Sequence, residues 1–206
     1  FSSLDDFVHR TGLRRDEVAK LAEAGAFEGL VDCRREALWR SRAPREGGLF
    51  DGLAIEKNER VGLPAVTARE QLTLDYGTTG ISLTDHPMRH LRKKLARRRV
   101  RLACEQKSFQ RGQRVTVAGV VLTRQRPGTA SGVVFITLED ETGTLNLVLY
   151  SHVFERHELV ARHAGMLLAR GRIDRRGPVV HVRADHLERL DLPEAQPLAL
   201  RSRDFH

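Results

Sequence analysis

The feature that most constrains this chain is the alternation of apolar and polar residues between positions 114 and 190, cut into short pieces by turn residues. It opens RVTVAGVVLT, breaks at RQRPGTASG and resumes as VVFITLEDETGTLNLVLY. Period-two alternation marks half-buried strands, because successive side chains of an extended chain point to opposite faces. Val115, Val117 and then Val120 or Leu122 are expected to point inward, with Arg114 and Thr116 outward. Gly119 interrupts that rhythm, and a bend or bulge there would let one long strand serve both sheets of a closed barrel. Val134, Ile136 and Leu138 share one face of the second run, and Leu145, Leu147 and Leu149 one face of the third. Residues 140–143 supply the hairpin turn between them. SHVFERHELVARHAG then has helical spacing, and MLLARGRI and VVHVRADHLERL read as two further strands.

Three strands, a helix and two strands is the order of an OB-fold, a five-stranded barrel with one inserted helix that serves single-stranded nucleic acid or oligosaccharide. Such barrels stack bases on aromatic side chains and follow the backbone with basic ones. Phe135, Tyr150 and His181 are the stacking candidates. Arg114, with Arg124 and Arg126 in the first loop and Arg175 and Arg176 in the last, are the phosphate candidates. The aromatic set is thin, at 5% of the chain, and Phe135 and Tyr150 would be equally at home in a core.

The residues before the barrel read as helices. A serine cap before Leu4, Phe7 and Val8 opens one that ends at Thr11-Gly12. A second carries Val18, Leu21 and Ala22 and stops at Gly25, and a third spans residues 33–42. Helix, glycine turn, helix is compatible with a helix-hairpin-helix unit, in which Arg14, Arg15 and the N–H groups at the second helix start would hold a phosphate. An ordinary helical subdomain fits the same residues. Thr67 and Glu70 form a capping-box pattern for a helix over 65–76. Pro87 then opens PMRHLRKKLARRRVRL, in which Met88, Leu91 and Leu95 make an apolar stripe. Around it, Arg92, Lys93, Arg97, Arg98 and Arg99 belong to an all-basic face, which points to phosphates or to balancing acids elsewhere in the fold. The expected class is therefore α+β. A helix-hairpin-helix-like region occupies 1–45, a linker and basic helical connector 46–110, the OB barrel 111–190 and a tail 191–206.

Charge supports the same division. Residues 1–85 hold 12 basic and 15 acidic side chains, net −3, whereas residues 86–206 hold 23 and 12, net +11. A polyanionic partner is expected for the second half. Cys33 and Cys104 form no metal-binding spacing, no apolar run is long enough for a membrane span, and a cytoplasmic protein is expected. The cluster Glu139, Asp140 and Glu141 sits in a turn, where acids serve the backbone. No P-loop or nucleophile motif is present, so the chain by itself is not expected to be catalytic. Its first residue is Phe1, consistent with a portion of a longer protein.

RVTVAGVVLTRQRPGTASGVVFITLEDETGTLNLVLY closely resembles the OB domain of the error-prone, SOS-type branch of bacterial C-family DNA polymerases, relatives of the polymerase III alpha subunit. SLDDFVHRTGLRRDEVAKLAEAGAF, DYGTTGISLTDHPMRHLR and the terminal SRDFH resemble the same family, in order along the chain. The resemblance implies a non-catalytic C-terminal region of a polymerase that copies damaged templates, with magnesium and the catalytic aspartates in a preceding domain and no cofactor here. It implies DNA, single-stranded template above all, as a ligand. Recruitment would come through an inactive Y-family-like protein. Glu46, Leu49 and Phe50 stand where replicative relatives carry a clamp-binding peptide, but Glu46 replaces the expected glutamine and weighs against direct clamp docking. Two other readings fit parts of the pattern: a protein-docking module that binds no DNA, and a stand-alone tRNA- or single-strand-binding OB protein.

Overall fold

The computed structural model describes residues 1–42, 63–128 and 132–192, with the backbone of 203–205. It divides into two units, Phe1–Ile81 and Ser82–His206.

In the first unit, α1 (Leu4–Thr11) is capped by Ser3, whose Oγ accepts the Asp6 N–H at 3.1 Å. It stops at Gly12, which takes a left-handed φ of +63° that other residues adopt only at a cost. α2 (Arg15–Glu23) and α3 (Arg34–Arg42) follow, and Leu4, Val18, Ala22, Phe27 and Ala37 form their common core. α4 (Ala68–Thr78) has the full capping box: Thr67 Oγ1 accepts the Glu70 N–H, and the Glu70 carboxylate accepts the Thr67 N–H at 2.9 Å. Arg34 is buried between these helices. Its guanidinium donates to the Glu23 carbonyl at the end of α2 and to Asp75 on α4 at 2.6 Å. One cation thus joins α2, α3 and α4.

The second unit is a closed barrel with a helix on its outside. α5 (Pro87–Arg97) precedes β1 (Arg114–Gln125), β2 (Val134–Asp140) and β3 (Gly143–Leu149). Two helical turns, α6 (Ser151–Arg156) and α7 (Glu158–His163), lead to β4 (Met166–Arg176) and β5 (Val179–Arg189). The sheet runs β2-β3-β5-β4-β1 and closes through β1–β2. β3 and β5 are parallel, and the other barrel pairs are antiparallel. A short β6 (Arg203–Phe205) lies parallel to β1 at Thr123–Gln125.

β1 serves both sheets, pairing with β4 over Arg114–Val120 and with β2 from Val120 onward. The alternation, however, does not break at Gly119. Val115, Val117 and Val121 all enter the barrel core, while Ala118 and Val120 face outward beneath α5. The bulge lies later, between Val121 and Thr123. Gly119 answers a different need, because a Cβ there would come within 2.6 Å of the Glu139 carbonyl oxygen. It is the point where β1 crosses from one partner to the other with no room for a side chain.

Two expected helices are shorter than their patterns. α5 ends at Arg97 and not at residue 102, because Arg99 turns into the left-handed region at φ 55°. The Val100 N–H reaches back to the Leu95 carbonyl, Val100 tucks into the apolar cluster, and the Arg101 N–H donates to Thr116 of β1. The helix inserted after β3 is likewise divided at His157.

Candidate nucleic-acid interface

The barrel's inner positions fill its core, so the outward positions of β2, β3 and β5 form one open face. Register places Phe135 opposite Val148, and Val148 opposite Arg183. The neighbouring row is Thr137, Asn146 and His181. Phe135, Val148 and His181 are half-buried, while Asn146 and Arg183 are exposed. An apolar ring, an imidazole, an amide and a guanidinium therefore share this surface, a set able to stack on bases and hold phosphates. Thr137 and Asn146 are joined by a 3.0 Å side-chain hydrogen bond. Tyr150 stands apart at the end of β3, 43% exposed, its ring parallel to that of His152 at 6.4 Å.

α5 packs on the outside of β1 and β4. Met88, Leu91 and Leu95 are buried against Ala118, Val120, Met166 and Leu168. The three residues before and within its first turn each have a structural task. His86 Nδ1 accepts the Met88 N–H at 3.2 Å, Pro87 fills the first helical position, and Met88 is fully buried. Burial lowers the His86 pKa against the opposing pull of Glu139, Glu141 and Asp140, which keeps the ring neutral and able to accept.

The basic face of α5 divides in two. Arg92 forms a fork on Glu141, at 2.6 and 2.7 Å, with Asp140 at 3.5 Å. Arg98 forms another on Glu188, at 2.7 and 2.5 Å. Burial is the largest single influence on Glu141 and raises its pKa, but the Arg92 hydrogen bonds, its own backbone N–H and the Arg92 charge together hold the carboxyl below its ordinary value. Arg98 does the same for Glu188, against a smaller effect of burial. Lys93, Arg97 and Arg99 remain exposed. Asp140 also accepts from the Ala103 N–H, the Thr142 N–H and the Thr142 hydroxyl, so the acidic turn is a framework for the backbone.

The loop arginines divide in the same way. Arg124 donates to the Ala161 carbonyl at 2.6 Å and to that of Ala164, capping the end of α7. Arg175 donates to the carbonyls of Lys107 and Phe109. The Arg126 guanidinium lies 5.3 Å from the centre of the Phe154 ring, and Arg176 is exposed. Arg114 is exposed and pairs with Asp185 at 3.0 Å. In the first unit, Arg14 and Arg15 are exposed at the start of α2. The Glu17 carboxylate already accepts the Arg14 N–H at 2.8 Å, and Arg14 also faces Asp16. The clamp-like residues Glu46, Leu49 and Phe50 lie outside the described residues.

Sequence reasoning passed over Arg170, Arg172 and Arg183. All three are exposed and outward on β4 and β5. The signal was available, since each alternates with a core residue in ARGRI and HVRAD. They lie within strands and not in the loops where this fold's specificity usually resides.

Residues 115–190 match the family model described as OB-fold nucleic acid binding domain. The whole chain is 46% identical to error-prone DNA polymerase from Anaeromyxobacter dehalogenans strain 2CP-1, covering 18% of that protein. It is 42% identical over its full length to the error-prone DNA polymerase of Azoarcus sp. strain BH72, covering 19% of it. Along its whole length the chain is similar to a segment of error-prone DNA polymerases. Error-prone DNA polymerase 1 of Agrobacterium fabrum is 42% identical over 91% of the chain and 18% of its own length. The chain thus spans less than a fifth of the length of these error-prone polymerases. Among the described residues, no three His, Cys, Asp or Glu side chains cluster so as to hold a metal ion, and no helix is long and apolar enough to cross a membrane.

Proposed function

We propose that this chain is the non-catalytic, DNA-holding C-terminal region of an error-prone translesion polymerase acting in damage-induced mutagenesis in the bacterial cytoplasm. Nucleotide addition and its magnesium belong to residues outside this chain. The barrel engages single-stranded template, with Phe135 and His181 against bases and arginines against phosphates. The observation that carries this reading is the open β2–β3–β5 face, where Phe135, Val148 and Arg183 align across three strands beside Thr137, Asn146 and His181. A recruitment protein of the inactive Y-family-like type is the proposed protein partner, reached through residues other than this face.

The test is fluorescence anisotropy of the chain with a labelled single-stranded oligonucleotide at several salt concentrations. Binding that weakens as salt rises, and weakens further on Phe135→Ala, is the expected result. Phe135→Ala binding as tightly as the parent would remove the ring from the interface. No binding at low salt would transfer the face to a protein-docking role.

A further inference from the structure

The row that begins at Phe135 does not stop at β5. Arg183 lies opposite Arg172 on β4, and Arg172 lies opposite Arg114 on β1. Arg170, two residues before Arg172 on the same strand, lies opposite Thr116 and His186. All four arginines are exposed. Adjacent strands are about 4.8 Å apart, so Arg183 to Arg114 spans about 10 Å of backbone across the sheet. The three form a line of positive charge and not a pocket for one small anion.

Such a line needs a reason, because like charges directly opposite each other destabilise a sheet. Fold geometry supplies little compensation. Arg114 pairs with Asp185 at 3.0 Å, but both side chains are largely exposed, at 71% and 46%. Arg172 donates to the Gly112 carbonyl at 3.2 Å, a neutral acceptor. The line also joins a second basic segment. The chain leaving α5 runs beside β1, with the Arg101 N–H on the Thr116 carbonyl, and Thr116 is the residue opposite Arg170.

We propose that Arg183, Arg172 and Arg114, with Arg170, form a phosphate track for a single nucleic-acid strand on the outer face of β5–β4–β1. The nucleic acid lies across the β-strands, its phosphates over Arg183, Arg172 and Arg114, and the bases of the nucleotides nearest Arg183 lie towards His181 and Phe135. This rests on the single-strand reading above and adds to it the side of the barrel that carries the backbone. Arginine suits the role, since its fork remains charged and matches phosphate oxygens in pairs.

The experiment compares the parent chain, the double variant Arg172→Gln/Arg183→Gln and Phe135→Ala, each titrated against oligo-dT across a range of salt. Each phosphate contact on a single strand contributes about 0.7 to the slope of log affinity against log salt. The double variant is expected to lose about 1.4 of slope, and Phe135→Ala to lose affinity with its slope unchanged. A parent that binds and a double variant with the parent's slope would overturn the track while leaving the single-strand reading intact. A parent that fails to bind at low salt would sink that reading, and the track with it. Thermal melting of Arg183→Gln without DNA is the second measurement. Its Tm should be no lower than the parent's, and a clear fall would show that the arginine row serves the fold instead.

Discussion

Two parts of the second unit carry arginine in abundance and use it in opposite ways. On α5 and at its C-terminal cap, Arg92 and Arg98 each face a glutamate of the barrel through two short hydrogen bonds. On the outer face of β5–β4–β1, Arg183, Arg172 and Arg114 face one another. Composition does not distinguish them, and in the sequence α5 is the more conspicuous. The difference lies in the partner. A guanidinium that holds a half-buried carboxylate fixes one element on another, whereas one aligned with its own kind, Arg114 with its exposed partner Asp185 included, is available to an anion from outside.

Three changes test that contrast. The largest effect is expected from Arg92→Gln, which leaves Glu141 without its fork in a half-buried setting. It should cost about 2 kcal/mol in urea unfolding, and the folded variant should bind an oligonucleotide as the parent does. Loss of affinity without loss of stability would place Arg92 with the open arginines.

Acid should release α5 in stages. His86 has a folded pKa below its ordinary 6.5, so its cap is complete above that value. The contribution is lost as pH falls from 6.5 towards the folded pKa, because the unfolded chain takes up the proton first. Glu141 and Glu188 also lie below their ordinary 4.5, so the two forks are intact where the His86 loss begins and weaken only as pH falls below 4.5. Melting curves between neutral and mildly acid pH should show the first loss, and His86→Asn, with a cap that does not titrate, should abolish it. A parent whose stability is flat across that range would contradict the assignment of a neutral His86 cap.

The smallest effect should be a gain. Arg99 holds a left-handed φ of 55° at the end of α5, and Arg99→Gly should stabilise the chain by about 0.5–1 kcal/mol while removing an exposed charge. A loss of stability would mean that the Arg99 side chain holds the turn.

Much of the fold was legible because it follows from local rules. Ser3, Gly12, Thr67 with Glu70, and Pro87 punctuate the helices as their chemistry requires, and period-two alternation marked β2, β3, β5 and parts of β1 and β4. What was not legible depended on long-range partners. Val120 alternates as a strand residue should, but only the packing of α5 makes its outward side a second core. Arg124 and Arg175 sit in or beside the loops where this fold recognises ligands, but backbone carbonyls 37 and 66 residues away engage them. Arg172 and Arg183 are eleven positions apart in the sequence and become neighbours only through strand register.

The most direct test is an amide chemical-shift titration of the isotopically labelled chain with oligo-dT. The account predicts shifts in a continuous band from Phe135 through Val148, Arg183 and Arg172 to Arg114, with Arg92 and Arg98 little changed. Shifts centred on α5, with the arginine row silent, would contradict it.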